Sequence, residues 1–225
     1  MISRQIFKVL RGLDTLPRYS ISIFRKPVPS GEDIISKVIQ DHRRLEDYFT
    51  NYMAAKNEDD SYKWFNLFIW EVSRHAVAEE IVLYGLLEEQ GEKGKELSRR
   101  SREDHRKMKQ ILEDLRHEKD HQKFDKKFKE TFMDLAEHLN YEEREDLPFL
   151  KERLTEDQLI KAGKSFTMKE KIAPTRPHPN VPNRSVSLEN ALGVLLAPVD
   201  KLKDMFTAFP DKDTTRKKTP MNIKE

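Results

Sequence analysis

A short polar string occurs twice in this chain at one fixed spacing, and both copies fall where a helix should be apolar. Asp41-His42-Arg43-Arg44 returns as Asp104-His105-Arg106-Lys107, 63 residues later. His75-Ala76-Val77-Ala78-Glu79-Glu80 returns as His138-Leu139-Asn140-Tyr141-Glu142-Glu143 at the same offset, and Phe65 and Ile69 return as Phe128 and Phe132. The repeated unit reads as a helical hairpin that carries one His on its first helix and His-x-x-x-Glu on its second.

The stretch from Glu32 to about Arg153 supports that reading. Ser30-Gly31-Glu32-Asp33 supplies start signals for a first helix. Ile35, Val38, His42, Leu45, Phe49 and Tyr52 then alternate steps of three and four, which is a bundle seam. Phe68, Val72, His75, Glu79, Val82 and Leu86 form a second seam, closed by Gly91 and Gly94. Ser101, His105, Met108, Leu112 and Leu115 form a third. Phe128, Phe132, Leu135, His138 and Glu142 form a fourth, expected to run out before Pro148. With 36% charged residues, 36% hydrophobic residues and only 7 Gly, amphipathic helices are favoured over sheets. The fold expected is all-α, an up-down-up-down four-helix bundle over 30–160. In antiparallel neighbours, residues at one level are equidistant from the turn between them. The midpoints between His42 and His75, His75/Glu79 and His105, and His105 and His138 all fall on turn-forming residues, near 58–59, Gln90-Gly91 and Asp120-His121-Gln122. The six polar residues should therefore share one layer.

Buried carboxylates and imidazoles gathered in one layer need a common partner. Residues four apart lie about 6 Å along a helix and ~40° around it, close enough for one metal ion. His75 with Glu79, and His138 with Glu142, can each hold a metal, with His42 and His105 completing the ring. The sequence contains no cysteine, so thiolate chemistry and disulfides are excluded. Imidazole and carboxylate suit iron, manganese or zinc, and a nearly symmetric bridged pair in a bundle core favours two iron ions. Glu80 and Glu143, one step round each helix, are expected to point ~100° away from the metal. Glu46, four past His42, reads as a solvated carboxylate in preference to an extra ligand, Tyr84 as a packing residue in preference to one that approaches the site, and Lys109 as either a participant beside the site or a snorkelling chain. His117 and His121 read as surface residues and His178 as part of a linker.

Asp41-His42-Arg43-Arg44-Leu45, His75 to Glu80 and Glu137 to Glu143 together resemble the hemerythrin-like (HHE cation-binding) family, over about residues 34–154. The resemblance implies a non-haem di-iron centre, bridged by carboxylates, that binds O2 at an open position. In the oxygen-carrying members the third helix carries His-x-x-x-His and the fourth His-x-x-x-x-Asp. Here Lys109 stands at the second of those His positions, and Glu142 comes four residues after His138. One iron is thus a ligand short relative to the carriers, leaving room for peroxide or nitric oxide chemistry, sensing or iron handling. A di-iron peroxidase or oxidase is the enzymatic alternative, and a structural bundle with an incidental zinc the third.

The flanks differ from the bundle. In residues 1–26, Arg4, Lys8, Arg11, Arg18, Arg25 and Lys26 are set against Asp14 alone, and Ile2, Ile6, Val9, Leu13 and Leu16 recur at helical spacing. Such a segment resembles a mitochondrial transit peptide, with a cytoplasmic location the alternative. A Pro-rich linker is expected over 163–186 and an amphipathic segment over 187–208, built on Leu188, Leu192, Leu195, Val199, Leu202 and Phe206. That segment is expected to dock on its own bundle, or else on a partner or membrane surface. A disordered tail is expected over 209–225. Lys+Arg at 42 against Asp+Glu at 40 gives no argument for nucleic acid, and no apolar run is long enough to cross a bilayer.

Overall fold

The computed structural model describes residues 27–181 and 196–211, and every regular element among them is helical. The transit-like segment 1–26, the stretch 182–195 with Leu188, Leu192 and Leu195, and the tail from 212 lie outside the described residues. Within the described residues no helix is long and apolar enough to cross a membrane.

Side-chain caps fix the helix starts. Asp33 accepts the Ser36 amide at 3.0 Å and opens α1 (Ile34–Met53). Asn57 does the same for Asp60 at 2.8 Å and opens α2 (Glu58–Ala78). A π turn over Glu79–Leu83 leads into α3 (Tyr84–Glu88). Gly91, at φ 84°, makes the turn into α4 (Glu92–His117). Asp120 caps α5 (His121–Tyr141), which passes through a second π turn, Glu142–Asp146, into α6 (Leu147–Lys151). The connections fall at 54–57, 89–91 and 118–120: the second lies on the midpoint from the level argument, while the first and third lie just before theirs, because Glu58 and His121 already open helices.

α1 lies along α2, α4 along α5, and α3 against α4. The Phe49 ring stacks on Phe132 at 3.7 Å, which joins α1 to α5. Two apolar clusters result. The aromatic one, around Phe49, Phe65, Phe68, Phe124, Phe128 and Phe132, fills one end. The other gathers Ile34, Val38, Leu83, Leu87, Leu147, Leu150 and Phe166. Along α1, His42 falls between Val38 of one cluster and Leu45 of the other; the polar layer separates them. The α1 stripe starts at Ile34, which is fully buried, while Ile35 is half-buried.

The fourth predicted helix does not end before Pro148. It continues to Lys151, because the π turn Glu142–Asp146 sets Pro148 in the first turn of α6, where a missing N–H costs nothing. A further helix, α7 (Glu156–Ile172), opens on a Thr155–Gln158 capping box and crosses position 163, where the sequence places the linker. It packs on α1 and α2 through Leu159, Ala162 and Phe166. Gly163 makes this possible: a Cβ there would stand 2.1 Å from the Glu32 carbonyl oxygen. Residues 173–177 are buried, and 196–204 are helical. That helix docks through Ala197 and Asp200, while Val199, Leu202 and Phe206 of the predicted apolar stripe are exposed. The polar side, not the apolar one, faces the protein.

Candidate metal centre

α1, α2, α4 and α5 each bring one imidazole to the layer, and each π turn begins with one carboxylate. His42, His75, Glu79 and Glu142 form one buried group whose ligand atoms lie within 4.8 Å of one another; Glu79, His105, His138 and Glu142 form a second. The two groups share both glutamates. Glu79 Oε1 stands 3.1 Å from His75 Nε2 and 3.7 Å from His42 Nε2, while its Oε2 stands 3.5 Å from His105 Nε2. Glu142 divides likewise, with Oε2 at 3.4 Å from His42 Nε2 and Oε1 at 3.5 Å from His138 Nε2. Each carboxylate thus turns one oxygen to each imidazole pair.

The inward atoms are short of partners. His42 Nε2, His75 Nε2, both oxygens of Glu79 and Glu142 Oε2 are buried and make no hydrogen bond. Orphaned polar atoms of this kind are expensive. Gathered in two groups that share both glutamates, they fit cations. The field agrees: burial works against an imidazolium at His42, yet Glu142, Glu143 and Glu79 lift its pKa well above the ordinary histidine value. At His75 burial is likewise outweighed by Glu79 and Asp41, which raise the pKa to about 10. The layer demands positive charge.

The outward ring nitrogens face a second set of carboxylates. His42 Nδ1 lies 3.0 Å from Glu143 Oε1, His105 Nδ1 3.0 Å from Glu80 Oε1, and His75 Nδ1 3.2 Å from Asp41 Oδ2. Asp104 Oδ2 stands 3.8 Å from His138 Nδ1, beyond hydrogen-bond reach. These four carboxylates obey the same 63-residue offset as the ligand candidates. Glu80 and Glu143 do point away from the metal position, but onto the imidazoles of neighbouring helices, fixing ring orientation and tautomer. Sequence reasoning missed that role although the repeat contained its signal.

Other expectations need correction. Glu46 is neither ligand nor solvated; it is buried and pairs with Arg43 at 3.1 Å, and Arg43 in turn reaches Glu143 at 2.8 Å. Tyr84 does more than pack: its hydroxyl donates to Glu142 Oε1 at 2.7 Å and lies 3.0 Å from His105 Nε2. Its counterpart by the offset is Leu147, so the two halves of the site differ. Lys109 does not snorkel. It is buried with Nζ 2.6 Å from Glu80 Oε2, and although burial opposes ionisation, Lys109 and His105 hold the Glu80 carboxyl down at about 2. Asp146, bonded to Ser101 Oγ at 2.9 Å, is pushed up to about 7 by burial and by Glu142. His117 is exposed and His121 partly so, as expected. Behind His75, the trio Asp41, Glu71 and Glu170 is bridged by the Arg44 guanidinium, which bonds Asp41 and Glu71.

The family model for the hemerythrin HHE cation binding domain matches residues 33–150, the span that supplies all ten of these imidazoles and carboxylates. The chain belongs to the hemerythrin-like HHE family. Members bind metal cations, typically iron, and the buried His/Glu groups here could hold such ions. An uncharacterized hemerythrin-like protein of Schizosaccharomyces pombe is 36% identical over 179 residues, which cover 79% of this chain and 88% of that protein. No solved structure matches the chain. This likeness to the fission-yeast protein is longer than the 33–150 domain match, so it reaches beyond the HHE domain itself.

Proposed function

We propose that this hemerythrin-like protein holds two non-haem iron ions, one on His42 and His75, the other on His105 and His138, with Glu79 and Glu142 between them. The observation that carries this reading is the division of each buried carboxylate between the two imidazole pairs. When bound, such an iron pair supplies a centre that can combine with O2, peroxide or nitric oxide, or serve to sense or buffer iron. The chain's own residues prepare the place. Glu143, Glu80 and Asp41 orient His42, His105 and His75 from outside. The two apolar clusters above and below keep water from the layer. Lys109, standing where the oxygen carriers have a ligand, neutralises Glu80 instead and leaves the His105 half with fewer protein donors. The scaffold of this reading is an up-down-up-down bundle over 30–160, and residues 1–26 would direct it to the mitochondrion.

Tyr84 favours a second reading, a di-iron peroxidase or oxidase. A phenol between Glu142 and His105 is a proton donor placed at one half of the pair, and turnover would need an external reductant. Mössbauer spectroscopy of iron-loaded protein tests the main proposal. A magnetically coupled pair in two inequivalent sites is expected; isolated, uncoupled iron would overturn it. Reductant-dependent peroxide consumption would select the enzymatic reading.

A further inference from the structure

A cavity of about 20 Å³ lies between α2, α4 and α5 and touches His75, His105 and His138. That is room for one water-sized or diatomic molecule. Val72, Leu112, Leu135 and Leu139 make its walls largely aliphatic, and Ser73 contributes a buried hydroxyl without a hydrogen-bond partner. One lining residue comes from outside the three helices. It is Pro177.

Pro177 is held in place by a knot of charged and polar contacts. The Arg176 guanidinium donates to Asp204 Oδ1 at 2.6 Å, to the Asp200 carbonyl at 2.9 Å and to Thr207 Oγ1 at 3.1 Å. The Thr175 amide donates to Asp200 Oδ2 at 3.0 Å, and His178 Nε2 lies 2.7 Å from the same oxygen. His178 sits at φ 43°, a backbone conformation that a non-glycine residue keeps only when its surroundings hold it there. The 196–211 segment is tied down in turn, by Asn66 to the Ala208 carbonyl at 2.9 Å and by Lys201 to the Lys171 carbonyl at 3.1 Å. The contacts that fix Pro177 lie within the C-terminal segment, so releasing them leaves the helices that carry the imidazoles in place. A proline also has no N–H whose hydrogen bond would be lost on withdrawal.

We propose that the C-terminal segment is a latch over the cavity beside the imidazoles, with Pro177 closing the way in and Arg176 holding it shut. It governs how fast a small uncharged molecule reaches the metal centre, and in that respect it rests on the iron reading above. Charge-assisted hydrogen bonds of this number make the closed state dominant, and removing them raises the open fraction.

The test uses the full chain and two variants, Arg176→Ala and Pro177→Gly. In iron-loaded, reduced protein, the rate of combination with nitric oxide should rise about tenfold in Arg176→Ala, as expected for loss of one or more hydrogen bonds to a charged group, with iron content unchanged. Amide exchange over 173–181 should speed up alongside it. Pro177→Gly should raise the nitric oxide rate while leaving amide exchange at Thr175 near the parent value. An unchanged nitric oxide rate in both variants, with exchange over 173–181 faster in Arg176→Ala, would overturn the latch while leaving the iron reading standing. Should the parent chain bind no iron, the iron reading falls, and xenon exchange with the cavity, followed by NMR, decides the latch alone. Faster xenon exchange in Arg176→Ala supports it, and equal exchange overturns it.

Discussion

At the scale of single residues, the site is a set of buried groups each of which needs another to be tolerable. Glu80 is the sharpest case, because it bonds both the Lys109 ammonium and the His105 ring while almost fully buried. Glu80→Leu leaves a buried ammonium without its counter-charge, and a loss of about 3 kcal/mol in unfolding free energy is expected. Glu80→Leu combined with Lys109→Met should recover much of that loss, since a buried pair replaced by apolar groups is often neutral. Urea denaturation of the two variants measures both numbers, and equal stabilities would contradict the pairing. Tyr84→Phe removes one donor from Glu142 Oε1 and puts nothing in its place. Iron content should be kept while the optical spectrum and the rate of peroxide reaction change; a variant indistinguishable from the parent would remove Tyr84 from the site. The four imidazoles and two inner glutamates were legible in the sequence because their spacing repeats and their stripes are otherwise apolar. Glu80, Glu143, Asp41 and Asp104 repeat as faithfully, yet one helix alone only says that they face away. What they face belongs to another helix, and single-helix periodicity does not contain it.

At the scale of elements, the two π turns and α7 carry what the periodicity could not. Both wide turns begin at an inner glutamate and advance the helix by one extra residue, a local distortion often found at functional positions. In the first, this brings Tyr84 under the site; in the second, it brings Asp146 there and accommodates Pro148. A count of three and four runs straight through such a turn without registering it, which is why Pro148 read as a stop. α7 was missed for a different reason: its inward residues, Leu159, Ala162 and Phe166, are few and flank Gly163, so the stripe is thin. Close approach of its backbone to the start of α1 makes Gly163 the position to test. Gly163→Ala drives a methyl group into the Glu32 carbonyl and should cost about 1–3 kcal/mol by overpacking. Thermal unfolding reads the cost, and an unchanged Tm would mean that α7 is not seated as described.

At the scale of the whole molecule, a polar layer divides the apolar interior into two clusters. Without cations, the layer buries orphaned nitrogens and oxygens among several carboxylates; with them, the same atoms become ligands. Stability should therefore depend on metal by mass action, so that chelating the iron lowers Tm and adding ferrous iron back restores it. A Tm indifferent to metal would argue that the layer is already satisfied as it stands. The direct test is metal content. Anaerobic loading with ferrous iron, followed by elemental analysis of the full chain, should give about two irons per chain, and His75→Ala or Glu142→Ala should lose them while keeping most helical signal. A chain that retains its iron in both variants, or that takes up none in the parent form, would contradict the assignment of these six residues as the metal centre.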